Sequence, residues 1–185
     1  MGNVANVISG PGAIYVAPQN TAAPGFSAGY VWGSPFVASG YTDKGITFDY
    51  TPTFKDIEVD EEMSPVQKLL TKEKLVISLE MAETTLANLN YAISGSTLAG
   101  TTLSVGSAVI TNEFALGFQG PCPPQTGAAV GTIGQRFIFL FRVKAIAAVK
   151  AHWTRLDKVM FSVQLEAMAQ STQPAGARLC VINDF

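Results

Sequence analysis

The sequence predicts a mainly β protein, a β-sandwich or half-barrel with one flanking α-helix. Three observations predict it. Lys74–Met81 and Lys158–Ala167 alternate strictly: Leu75, Ile77, Leu79 and Met81, like Val159, Phe161, Val163, Leu165 and Ala167, oppose more polar neighbours, the period of a half-buried strand. The chain holds 17 Gly and 10 Pro in 185 residues, the turn content of many short strands. One capped amphipathic segment follows Glu83.

In chain order, residues 1–40 are rich in Gly, Pro, Ala and Ser and read as an N-terminal arm or lead-in. It holds a short strand at Ala13–Ala17 and a second around Tyr30–Trp32 or Phe36–Ala38. From Gly45, Ile46, Phe48 and Tyr50 alternate with Thr47, Asp49 and Thr51. Pro52 interrupts that run, implying a bend or an edge position. Phe54–Asp60 is a further strand, with Ile57 and Val59 on one face and Asp56, Glu58 and Asp60 on the other. Glu61–Thr71, polar and broken by Pro65, reads as a long loop.

Thr84 is the expected N-cap of the helix, whose stripe is Leu86, Leu89 and Ile93 with Ala92 beside it. Gly95 ends it. Leu98–Ile110 holds one or two short strands, Phe114–Phe118 alternates, and Gly117–Gln135 reads as a Gly/Pro-rich loop around Cys122. Arg136–Ala147 and Arg178–Ile182 complete the strands. The whole, residues 1–185, is expected to be one domain.

Composition narrows the function classes. Hydrophobic residues make up 48% and charged residues 14%, a balance suited to a chain that covers apolar surface with copies of itself. The net charge of −2 offers no clustered basic footprint for gripping nucleic acid. MGNVANVISG lacks a basic segment followed by an apolar core, so no signal peptide is expected. The longest apolar run, Phe137–Phe141, is far short of the roughly 20 residues a membrane helix needs. The expectation is a soluble protein made in a cytoplasm.

Catalytic chemistry finds little footing. His152 is the only histidine. Asp157 is close in sequence, but no motif around the pair resembles a catalytic one. Cys122 and Cys180 are expected to be free thiols, and one His with two distant Cys cannot supply a zinc site. Gly10-Pro-Gly12 has neither the helix nor the lysine of a phosphate loop. The row Asp56, Glu58 and Asp60 reads either as a solvated strand face or as a cation-binding edge. The expectation is therefore no catalytic residue, no cofactor and no metal.

Two segments carry a resemblance. Gly10–Pro18, GPGAIYVAP, and Gly40–Phe48, GYTDKGITF, followed by the acidic strand and the Gln67–Ile93 strand–helix segment, resemble the major tail tube proteins of long-tailed, non-contractile bacteriophages. The likeness covers residues 8–93, and beyond Thr101 it is one of architecture. It implies a structural virion protein whose strands join those of neighbours into a ring-shaped inner β-barrel. Hexameric rings would stack around a tape-measure protein, between tip and terminator proteins, as the conduit for viral DNA ejection. The long loop would contact the next ring through Glu61, Glu62, Met63, Ser64, Pro65 and Val66, with the N-terminal arm as a second contact. The subunit would assemble in the host cytoplasm and reside in the virion tail.

Under that reading the polar strand residues Asp56, Glu58, Asp60, Glu80, Gln164 and Glu166 are expected to face the lumen, where an acidic lining would let DNA slide. Tubes of contractile tails or secretion systems have the same subunit form. A capsid decoration or carbohydrate-binding β-sandwich is the rival of another class, with Tyr30, Trp32, Phe36 and Tyr41 as its sugar platform.

Overall fold

The computed structural model describes residues 12–27, 29–58, 60, 64–106, 112–123, 134–150 and 159–185. Its strands are β1 (Ala13–Pro18), β2 (Val37–Ala38), β3 (Thr42–Ile57), β4 (Gln67–Met81), β5 (Ser96–Ala99), β6 (Thr102–Val105), β7 (Glu113–Cys122), β8 (Gly134–Ala145), β9 (Phe161–Ala167) and β10 (Cys180–Asp184). One helix, α1 (Leu86–Ala92), lies between β4 and β5. The molecule is mainly β, its strand pairs are antiparallel, and no closed barrel is found among the described residues. The large sheet runs β2-β1-β7-β8-β9-β4-β3, with β10 on β8 and β5–β6 a separate hairpin.

Strand β8 joins two parts of the sheet. Its first half pairs with β10 through Arg136–Leu140, and its last residues, Val143–Ala145, pair with β9. Against β7 the register steps from Phe114↔Val143 to Leu116↔Leu140, one extra residue in β8. This bulge flips the alternation, so Val143 and Ala145 join the same core as Leu140 while Phe137, Phe139 and Phe141 face the other side. Burial on both faces explains why Arg136–Ala147 is a hydrophobic run rather than an alternation.

The inner core is filled by Ile14 and Val16 of β1, Phe114 and Leu116 of β7, Leu140 and Val143 of β8, and the alternate residues of β4 and β9. On the other face of β1, β7 and β8 the lead-in lays an aromatic layer. Trp32 stacks on Tyr15 at 4.8 Å, Phe26 on Phe137 at 5.0 Å, and Phe36 meets Phe139 edge-on. Gly117 of β7 has to be glycine here, because a Cβ would collide with the Trp32 indole.

Several expectations change. The helix N-cap is Thr85, whose hydroxyl accepts from the Asn88 amide at 3.2 Å, one residue later than expected. The buried helical residues are Asn88 and Ala92, while Leu86 is exposed. Asn88 is held inside by donating to Ser39 O at 2.8 Å and Glu83 O at 2.9 Å.

Strand β4 begins at Gln67, so Gln67–Thr71 is strand rather than loop, with Gln67–Leu70 paired to β3 and Thr71 at a register shift. Strand β3 runs unbroken through Pro52. It ends the sheet order, and an edge strand tolerates a missing N–H. Gly117–Cys122 is strand as well, not loop. Pro121 fits because β1 reaches only to Gln119, which leaves Pro121 paired on one side.

Candidate assembly surfaces

Strands β3 and β4, of 16 and 15 residues, form a hairpin longer than the core it serves. Beyond the Tyr50↔Leu75 pair the ribbon leaves the protein interior. Gln67–Lys74 is exposed throughout, as is Thr51–Ile57 apart from Pro52. At about 3.4 Å per residue, the seven residues of Thr51–Ile57 extend roughly 24 Å. Val66 N donates to Ile57 O at 2.9 Å and closes the described end.

The ribbon's two faces differ. Phe48, Tyr50 and Phe54 continue the alternation of Ile46, whose partner Leu79 is buried. Leu70 pairs with Phe54 on the same face. Phe54 is 52% and Leu70 42% exposed, so the apolar face of the core runs on into solvent without cover. The outer edge of β3 pairs with no strand among the described residues. A long edge strand beside an apolar face is a template for another chain.

The opposite face is polar where β4 meets β9, although Leu69 and Ile57 lie on it farther out along the ribbon. Cross-strand pairs Val76↔Glu166, Ser78↔Gln164 and Glu80↔Ser162 put Glu80, Gln164 and Glu166 on one surface with Thr47 and Asp49. Lys74 Nζ lies 3.8 Å from Glu166, and Lys144 is the pair partner of Glu166 across β8. Acids and lysines are therefore interleaved on this face, which differs from the acidic lining expected.

The six residues expected to share one surface do not. Asp56 has the parity of Phe54, lies on the apolar face and is paired with Lys68 at 2.9 Å. Glu58 and Asp60 follow the end of β3, exposed at the ribbon's end. Of the loop residues, Ser64, Pro65 and Val66 are exposed there too. Glu61, Glu62 and Met63 lie outside the described residues, as do the arm up to Pro11, Val59, His152 and Asp157. Sequence reasoning passes over Phe54 and Leu70. The available signal is that Phe54 keeps the phase of Ile46, Phe48 and Tyr50 across Pro52.

A cavity of about 480 Å³ opens where the apolar ribbon face leaves the core, between Leu70 and Leu75 on β4 and the Ala175–Cys180 segment. Inside it the Tyr50 hydroxyl donates to Glu73 Oε1 at 3.0 Å. That bond, with burial and the Glu73 charge behind it, lifts the phenol above its ordinary value. Burial pushes the Cys180 thiol up, and burial with the nearby Asp184 charge does the same for Cys122, which disfavours both thiolates. Both cysteines are free.

The aromatic platform proves to be internal for the most part. Tyr30, Trp32 and Phe36 pack on Phe137 and Phe139, which leaves Tyr41 as the widely exposed ring of the four. Among the described residues, no group of three or more His, Cys, Asp or Glu is placed to hold a metal ion. No helix among them is long and apolar enough to cross a membrane. No protein-family model matches the chain, and no curated protein matches it.

Proposed function

We propose that this chain is a structural subunit that works by self-assembly, a tail tube protein of the long-tailed phage type. Its rings stack into a tube for DNA, without chemistry or a cofactor. The observation that carries the reading is the β3–β4 ribbon. A 16-residue edge strand carries an apolar face that its own chain leaves uncovered, and other copies are the natural cover. Pairing the β3 edge with a neighbour satisfies its backbone groups and extends the sheet around a ring. The motifs GPGAIYVAP and GYTDKGITF point to the same family.

In this reading Glu80, Gln164 and Glu166 face the bore together with Thr47, Ser78 and Ser162. Their acids alternate with Lys74 and Lys144, so DNA meets hydroxyls, an amide and matched charges rather than a continuous cationic track. Glu58, Asp60 and Ser64–Val66, at the ribbon's far end, reach toward the next ring. A tape-measure protein inside the bore and tip and terminator proteins at its ends are the further partners, and the virion tail is the location.

Negative-stain electron microscopy of the purified protein at high concentration tests this. Hollow tubes or six-membered rings with a central bore are expected. Particles that stay monomeric at high concentration, and also in the presence of preformed tail tips, would overturn the reading.

A further inference from the structure

We infer that a second cavity, remote from the ribbon, binds a neutral saccharide through one pyranose ring. This cavity of about 530 Å³ opens between the end of β1, β2, the last turn of α1 and the start of β7. The sheet order puts β2 and β1 at one end and β3 at the other, so the site stands apart from the ribbon and does not depend on the self-assembly reading. Its volume lies in the range of ligand pockets.

The floor is apolar. Val16 and Phe114 are buried there, and the half-buried Tyr91 ring lies against Phe114 with centroids 5.0 Å apart. Two amides are fixed beside it. Ser96 Oγ donates to Asn90 Oδ1 at 2.9 Å, and Asn112 Nδ2 donates to the same oxygen at 3.2 Å and to Ser96 O at 2.8 Å. These bonds decide which end of each amide is left for a ligand. Asn90 keeps its Nδ2 as a donor and Asn112 keeps its Oδ1 as an acceptor, and neither atom has a partner among the described residues.

The lining also selects against other ligands. The Glu113 carboxylate is held by Arg142 Nε at 2.6 Å, so the cavity offers no unbalanced charge to an ion. Pro18 and Pro35 line the wall and lack the backbone N–H groups that an added peptide strand would need. The ligand that fits is uncharged, with one apolar face and groups that both donate and accept. A pyranose ring has this form: its C–H face lies on the Tyr91 ring, and its hydroxyls accept from Asn90 and donate to Asn112.

The test is NMR on the dilute full-length chain, titrated with the methyl glycosides of glucose, galactose, mannose and N-acetylglucosamine. At least one should bind saturably in the millimolar range and shift the side-chain amides of Asn90 and Asn112, with the Gln170 amide as an unmoved control. Asn90→Asp keeps the accepting oxygen and removes only the donor, so it should fold as wild type and weaken binding at least about tenfold. Tyr41→Ala, which removes an exposed ring elsewhere, should leave binding unchanged. No saturable binding by any of the four, shifts confined to Tyr41, or an Asn90→Asp affinity equal to wild type would overturn the site. Because binding is read on the dilute chain, none of these results bears on whether tubes form.

Discussion

Strand β8 and the β3–β4 ribbon both place bulky apolar residues at alternate positions, and the chain treats them in opposite ways. Phe137 and Phe139 are fully buried beneath the aromatic rings of the lead-in. Phe54 and Leu70 carry the same type of side chain on the same kind of strand, yet about half of each remains in water. A two-stranded ribbon in water is marginally stable alone. Covering β8 makes a domain, whereas leaving the ribbon bare makes a subunit whose last core is intermolecular.

The first way to break this comparison is to damage the covered side. Phe139→Ala removes a ring that packs between Phe36 and Phe141. The expected loss is about 3–5 kcal/mol, transfer plus cavity, measured by urea unfolding of the monomer. A loss below about 1 kcal/mol would mean that the lead-in layer is loosely packed and the contrast with the ribbon is false.

A smaller effect belongs to the C-terminal strand. Arg136 grips Asp184 with two bonds, Nε to Oδ1 at 2.7 Å and Nη2 to Oδ2 at 2.6 Å. The guanidinium bond holds the Asp184 carboxyl below its usual value, against the opposing effect of burial. A carboxylate depressed in the folded state adds stability that is complete above its unfolded value near 4. That stability is lost as pH falls through the lower folded value. Arg136→Leu should therefore cost about 1–3 kcal/mol at pH 7 by stranding a half-buried charge. The deficit should shrink in acid, where wild type loses the pair too. Equal deficits at pH 7 and pH 2.5 would show that Arg136 acts by packing alone.

How much of the molecule is legible in the sequence follows from which forces are local. The alternation of β4 and β9 is written residue by residue, because one solvated face and one buried face impose a period of two. Strand β8 hides its faces, since Phe137, Ile138, Phe139 and Leu140 are apolar in succession and alternate between two buried sides, and the bulge near Phe141 then returns Val143 and Ala145 to the Leu140 side. Pro52 and Pro121 read as breaks because the missing N–H matters only where a neighbour needs it, and neighbours are a tertiary fact. Polarity groups Asp56 with Glu80, whereas parity inherited from Ile46 puts it on the other face. A single-residue choice of phase reverses every side chain. The cavity beside Arg178 brings β4 together with a segment about a hundred residues later, and no local pattern announces it.

The sharpest form of the comparison predicts almost nothing for the monomer. Phe54→Ser with Leu70→Ser replaces two large apolar residues that a conventional core would miss badly. Here they lie beyond the Tyr50↔Leu75 pair on an uncovered face, so monomer stability should change by no more than about 0.5 kcal/mol. In the wild-type monomer, Thr51–Ile57 amides should exchange with solvent far faster than those of Phe137–Phe141, since ribbon hydrogen bonds open without unfolding the core. On assembly the same amides should gain protection, and the double variant should show no such gain, because its ribbon has lost the face that other copies cover. A monomer destabilised by about 2 kcal/mol or more would mean that the chain already buries these side chains itself. Ribbon amides as slow as those of β8 before assembly would mean the same, and the division between a finished half and an unfinished half would fall.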